Sequence, residues 1–219
     1  MHGLPTPMGG EFITFEGGEG SGKSTQVKLL GEAFAAAKLP YLITREPGGT
    51  PTAERIREVL VSGNHDFNPM SETLLFYAAR LEHVKKLIKP ALVERKTVLC
   101  DRFADSTKVY QGVGKGMSED FIRRLHHLTL GDFEPNLTII LDIDPVIGLK
   151  RAADRKNTET KFEGLPLNFH QEVRAGFLEI AKNNAGRCVV IDASQTPEIM
   201  QAQIVTELKK RFRINLWQS

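Results

Sequence analysis

Five short apolar runs rich in β-branched residues punctuate the chain: EFITFEG (11–17), LPYLITRE (39–46), KTVLCDRF (96–103), NLTIILDID (136–144) and RCVVIDA (187–193). They are mostly continuous rather than alternating, which fits strands covered on both faces. Between them the pattern turns helical near 23–38, 51–62, 70–95, 118–131, 145–155, 166–184 and 196–212. Thr50-Pro51, Asn68-Pro69, Asp144-Pro145 and Thr196-Pro197 each set a capping side chain before a proline at the first helical position. Pro90 lies inside the third helical pattern and predicts a kink or a break there. Strands alternating with helices predict an α/β fold, a parallel sheet with helices on both faces. Residues 11–219 read as one domain, and the Pro/Gly-rich segment 1–10 is expected to be disordered.

One helical pattern has two faces. Over 71–88, Leu74, Ala78, Leu81, Val84 and Ile88 share one stripe at 100° per residue, the expected core face. Phe76, Arg80 and His83 fall on the opposite side. Phe76 there either packs beneath a neighbouring helix or, with Arg80 one turn away, offers a ring and a guanidinium to a flat base carrying a phosphate.

Composition narrows the setting. The 219 residues carry 29 Lys+Arg against 27 Asp+Glu, too balanced to make nucleic acid a main partner. No apolar run approaches the ~18 residues of a membrane span, and the N-terminus lacks a basic-then-apolar signal pattern. Cys100 and Cys188 sit inside apolar runs and read as small core residues of a reducing compartment. A cytoplasmic protein is expected.

The chemistry begins at FEGGEGSGKSTQ (15–26). Gly17-Gly18-Glu19-Gly20-Ser21-Gly22-Lys23-Ser24, followed by Thr25, fits G-x-x-x-x-G-K-[ST] between a strand and a helix. Glycines let successive backbone N–H groups curl round an anion, and the helix N-terminus adds its positive end. Lys23 is expected at the β- and γ-phosphates and the Ser24 hydroxyl on Mg²⁺. ATP or a relative should bind here. A guanine-reading N-K-x-D is absent from the sequence. Arg45 and Arg102 follow the second and third strands, at the sheet edge where ligands bind in open α/β folds. They suit either a second phosphate group or surface ion pairs. GLKRAADRKNTETKFEGLP (148–166), with Arg151 and Arg155, reads as a solvated helix end or as a closing lid, about 150–165.

The ordered motifs FEGGEGSGKST (15–25), TREPGGT (44–50), SETLLFYAAR (71–80), DRFADSTKVYQG (101–112), LDIDP (141–145), FHQEVRAGFLEIA (169–181) and IDASQTPEI (191–199) resemble bacterial thymidylate kinases, from about Glu11 to the last helix. The resemblance implies a five-stranded parallel sheet in 2-3-1-4-5 order, a homodimer, and Mg²⁺-dependent phosphoryl transfer from ATP to dTMP. It implies that Phe76 stacks on thymine and that Arg80 reaches the base and the acceptor phosphate region. Arg102 would hold the dTMP phosphate with Arg45 nearby, Pro47 would shape the pocket, and Thr107 and Gln111 would form its polar wall. Tyr110 would crowd the ribose 2′ position, Asp101 would lie near Mg²⁺, and Glu19 would bond the 3′-hydroxyl. Arg151 and Arg155 resemble lid arginines, and 194–197 part of the adenine site. Where many relatives have Asp-Arg-x-Glu late in the lid, this chain has Thr160-Lys161-Phe162-Glu163. Lysine lacks arginine's bidentate grip, so Arg155 or Arg151 is the expected catalytic lid cation. A kinase of the same fold with another acceptor, and an ATP-dependent switch with none, are the competing readings.

Overall fold

The computed structural model describes residues 10–61, 66–154 and 162–216. Strands β1 (Phe12–Glu16), β2 (Tyr41–Arg45), β3 (Thr97–Asp101), β4 (Leu137–Asp142) and β5 (Cys188–Asp192) form one parallel sheet in the order β2-β3-β1-β4-β5. All five lie inside the predicted runs. The helices are α1 (Lys23–Ala36), α2 (Pro51–Val61), α3 (Pro69–His83), α4 (Lys89–Val93), α5 (Ala104–Thr107), α6 (Glu119–Leu130), α7 (Pro145–Ala153), α8 (Leu167–Asn183) and α9 (Pro197–Phe212).

Alternation along the strands sorts side chains between two layers. Ile13 and Phe15 enter a core with Val27, Leu30 and Phe34 of α1 and Ile204 and Leu208 of α9. Phe12 points the other way, to Val84, Ile88, Phe103 and Leu130. A third cluster packs Val109 and Tyr110 against Phe169, Val173 and Phe177 of α8. Thr14 and Glu16 share the Phe12 side, so β1 ends with a wholly buried carboxylate. In register, Phe15 lies beside Asp101 and Ile139, so β1 and β3 end within a residue of each other while β4 runs on to Asp142.

Three of the four proline-preceded caps form. Asn68 accepts from the Met70 N–H at 3.0 Å, Asp144 from Val146 at 2.9 Å, and Thr50 from Ala53 at 3.3 Å. Thr196 makes no such cap. The break expected at Pro90 lies one turn earlier, as a π-helical turn over Val84–Ile88 between α3 and α4. Proline has no N–H for the carbonyl four residues back and its ring crowds that carbonyl, so the widened turn accommodates both.

The expected core face of α3 needs correction. Leu74 is 47% exposed and Ala78 is exposed, while Glu72, Thr73, Tyr77, Arg80 and His83 are buried. Val84 and Ile88 do enter the core. The helix turns its polar side inward because partners wait there: Glu46 accepts from Arg80 Nε at 2.7 Å and lies 3.1 Å from His83 Nδ1.

Candidate active site

The phosphate loop runs from β1 to α1. Gly17, Gly20 and Gly22 hold φ of 137°, 69° and 89°, a left-handed path that suits glycine. Gly20 is also pressed against α7: a Cβ there would lie 1.9 Å from the Gly148 carbonyl oxygen, and a Cβ on Gly148 would lie 2.4 Å from that of Glu19. Two facing glycines let helix and loop touch backbone to backbone. Lys23 arches over the loop and donates to the carbonyls of Gly17 (3.0 Å) and Gly18 (2.8 Å) and to Ser21 Oγ (3.2 Å). Burial, with Arg102 adding positive charge, pulls its ammonium down to about 8. Ser24 Oγ donates to Asp101 Oδ2 at 2.6 Å, so the two residues expected near a metal meet although 77 positions apart. Thr25 lies exposed in the first turn of α1.

Arg102 follows β3 at φ 69°, a left-handed conformation unusual for a side chain of its size and common at functional sites. Its N–H donates to Phe15 O at 2.9 Å. The guanidinium donates to Glu19 Oε2 (3.1 Å), Gly17 O (3.2 Å) and Ser106 Oγ (3.2 Å), and lies 5.0 Å from the Tyr110 ring centre. Tyr110 donates its O–H to Glu19 Oε1 at 2.7 Å. Burial works to raise the Glu19 carboxyl, but Arg102, Lys23 and the Tyr110 hydroxyl outweigh it and hold it below the usual carboxylate value. Glu19 thus sits in the phosphate loop but is bound by two residues from the segment that follows β3.

Next to this group lies a cavity of about 140 Å³ with Phe76, Pro47 and Phe103 among its apolar walls and Arg80, Thr107 and Gln111 among its polar ones. A second cavity, about 320 Å³, spans Gly20, Gly22, Lys23, Ser24, Arg45 and Asp101. Glu19, Glu46, Arg57, Arg102 and Glu163 line both. Phe76 is half-buried against the first cavity, which favours the ring-on-a-base reading over packing under a helix. Arg80 is 2% exposed; it donates through Nη2 to Phe103 O (3.2 Å) and Thr107 Oγ1 (3.0 Å), and its buried Nη1 has no hydrogen-bond partner among the described residues. A buried guanidinium nitrogen without a partner beside a cavity points to a ligand acceptor atom.

Arg45 is exposed, pairs with Glu54 at 3.1 Å and lines the second cavity. Arg151 donates to Ala193 O (2.7 Å) and Ser194 O (3.4 Å), joining the end of α7 to the loop after β5. Arg155 lies outside the described residues, as does Lys161. Sequence reasoning gave no role to seven lining residues. Arg57 of α2, which donates to Pro47 O at 2.6 Å, and Val61 carried no local signal, while Phe162 and Glu163 stood only in the altered lid motif. Ser106 and Phe103 reach the site because α5 and a second π-helical turn over Lys108–Val113 form a helical stretch that its sequence pattern did not announce. Glu46 was readable only as part of TREPGG, yet it fixes Arg80. Glu16 is a further, indirect participant: it accepts from Ser106 Oγ (2.6 Å) and the Phe103 N–H (2.8 Å), and burial, with Asp105 adding to it, pushes its carboxyl up to about 7.

Residues 15–204 match the family model described as thymidylate kinase. Thymidylate kinase of Magnetococcus marinus is 47% identical over 209 residues, 95% of this chain and 100% of that protein. The Caulobacter vibrioides thymidylate kinase is 48% identical over 93% of this chain and 98% of its own. The crystal structure of thymidylate kinase from Ehrlichia chaffeensis superposes with a TM-score of 0.75 at 36% identity, covering 91% of this chain and 99% of that one. With the phosphate loop, the sheet order and the adjoining cavity, these likenesses agree: the chain belongs to the thymidylate kinase family.

Proposed function

We propose that this protein transfers the γ-phosphoryl group of ATP to the phosphate of dTMP, giving ADP and dTDP. The observation that carries the reading is the pair of adjoining cavities with Glu19 and Arg102 as common walls. A triphosphate cradled by the loop and a monophosphate entering beside Phe76 would meet at Arg102. The acceptor phosphate oxygen attacks the γ-phosphorus, and the bond from that phosphorus to the β–γ bridging oxygen breaks. Arg102 neutralises the acceptor phosphate and Lys23 the charge growing toward the β-phosphate, both by fixed electrostatics. Phe76 stacks on the base, Pro47 shapes its pocket, Tyr110 bounds the sugar, and Arg151 steadies the loop beside the adenine. Ser24 and Asp101 fit Mg²⁺: a hydroxyl and a carboxylate 2.6 Å apart are hard oxygen donors, and this ion takes few protein ligands, the rest being phosphate and water. When bound, the ion would draw charge from the β- and γ-phosphates.

A coupled ADP assay across dTMP, dUMP, dCMP, AMP and thymidine tests this. Turnover should be highest with dTMP, and Phe76→Ala should raise the dTMP KM by a stacking contribution of about 1–3 kcal/mol while sparing ATP. ATP hydrolysis indifferent to every acceptor would favour the switch reading instead.

We also read residues 11–219 as one domain that works as a homodimer. Met70, Leu74 and Ala78 form an exposed apolar line along α3, which a second copy would cover. The two buried free thiols support a cytoplasmic setting. No helix of the described residues is long and apolar enough to cross a membrane.

A further inference from the structure

Glu72 is wholly buried on α3, yet the phosphoryl-transfer reading gives it no task. Its Oε2 accepts from Gln111 Nε2 at 3.0 Å and from Lys115 Nζ at 2.8 Å. Paired with an ammonium, a carboxylate only accepts, so the Gln111 amide must turn its NH₂ toward Glu72. The carbonyl Oε1 is then what Gln111 has left for the cavity it lines. From the same polar end, Arg80 supplies an N–H without a partner. Its neighbour Nη2 is bound to Thr107, about one helical turn before Gln111.

We propose that Glu72 is a specificity-determining positioning residue: with Lys115, it locks the Gln111 amide so that the base cavity offers one acceptor and one donor in the order that thymine requires. Thymine presents O4 as an acceptor beside N3–H as a donor. Cytosine presents the reverse, an amino donor beside a bare N3. A freely flipping amide would serve both, whereas one held by an acceptor-only partner serves the first. The proposal rests on the dTMP reading of the cavity.

The test compares dTMP with 5-methyl-dCMP, which differ only along that edge. In Glu72→Gln the new amide can donate, Gln111 can turn over, and the ratio of kcat/KM values should fall by about tenfold, as expected when one hydrogen-bonding mismatch is relieved. The ATP KM should not move. Lys115→Met, on a more accessible side chain, should shift the ratio the same way and keeps the test open if the buried substitution does not fold. Gln111→Ala separates the two layers of the argument. If it leaves the ratio unchanged, Gln111 does not face the base and the reading of the cavity fails. If it collapses the ratio while Glu72→Gln and Lys115→Met leave it intact, lowering only Tm or both acceptors equally, Glu72 is structural and the proposal is overturned.

Discussion

At the residue scale, Glu19 sets a problem, because a loop that gathers anions holds a carboxylate of its own. Arg102 and Tyr110 engage both its oxygens, so its charge is spent toward the acceptor cavity. If it then takes a hydrogen bond from the dTMP 3′-hydroxyl, Glu19→Gln should cost about 1–3 kcal/mol in kcat/KM for dTMP. The advantage of dTMP over 3′-deoxy-dTMP should shrink with it, and a bystander carboxylate would leave that ratio alone. Glu16 gives a second prediction, about pH. Its folded value, raised to about 7 from an ordinary 4.5, means that the native state favours the protonated form. The stability this contributes is full below pH 4.5 and is lost as pH rises through 7, about 3 kcal/mol in all. Glu16→Gln, neutral at every pH, should therefore gain stability relative to the parent between pH 5 and pH 8 in urea unfolding. A constant difference between the two proteins across that range would sink the assignment.

At the element scale, the contact between the phosphate loop and α7 depends on having no side chain at two positions. Gly148→Ala should push α7 and Glu19 apart, since the added carbon would meet a backbone oxygen at 2.4 Å rather than a flexible side chain. Overpacking of this kind costs about 1–3 kcal/mol. Thermal unfolding should register that loss, and the KM for ATP should rise as the loop shifts; an unchanged KM would show that the loop tolerates the movement. The same scale explains a misread helix. Periodicity identified α3 but chose the wrong buried side, because hydrophobicity alone cannot anticipate an inward face held by ion pairs such as Arg80–Glu46. Its apolar side, with Met70 and Leu74 each 47% exposed, is the remainder of that choice.

At the scale of the whole molecule, that apolar line leads to a prediction about assembly. Leu74→Arg on the exposed face should turn a dimer into a monomer in sedimentation velocity, with little change in helix content. A parent protein that already sediments as a monomer would remove the dimer reading, and a dimer that survives the substitution would place its interface elsewhere. The sequence alone was enough for the strand runs, the phosphate loop and the family, because these depend on local properties: continuous apolar runs, glycines at left-handed turns, and motifs of fixed spacing. It also named most of the cavity-lining residues: the phosphate loop by its motif, Phe76 and Arg80 by helical spacing, Arg45 and Arg102 by their place after strands, and the rest through the resemblance. Tertiary structure decided which of them meet. Ser24 bonds Asp101 across 77 positions and Glu19 bonds Tyr110 across 91, distances over which no local pattern carries information. It decided that Glu16, Glu46 and Glu72 are buried beneath the site, where each carboxylate holds a working side chain or its neighbour in place. A buried charge is tolerated only where the fold supplies its partners. Those partners come from α3, α5 and the turn after it, brought together only when the sheet is assembled.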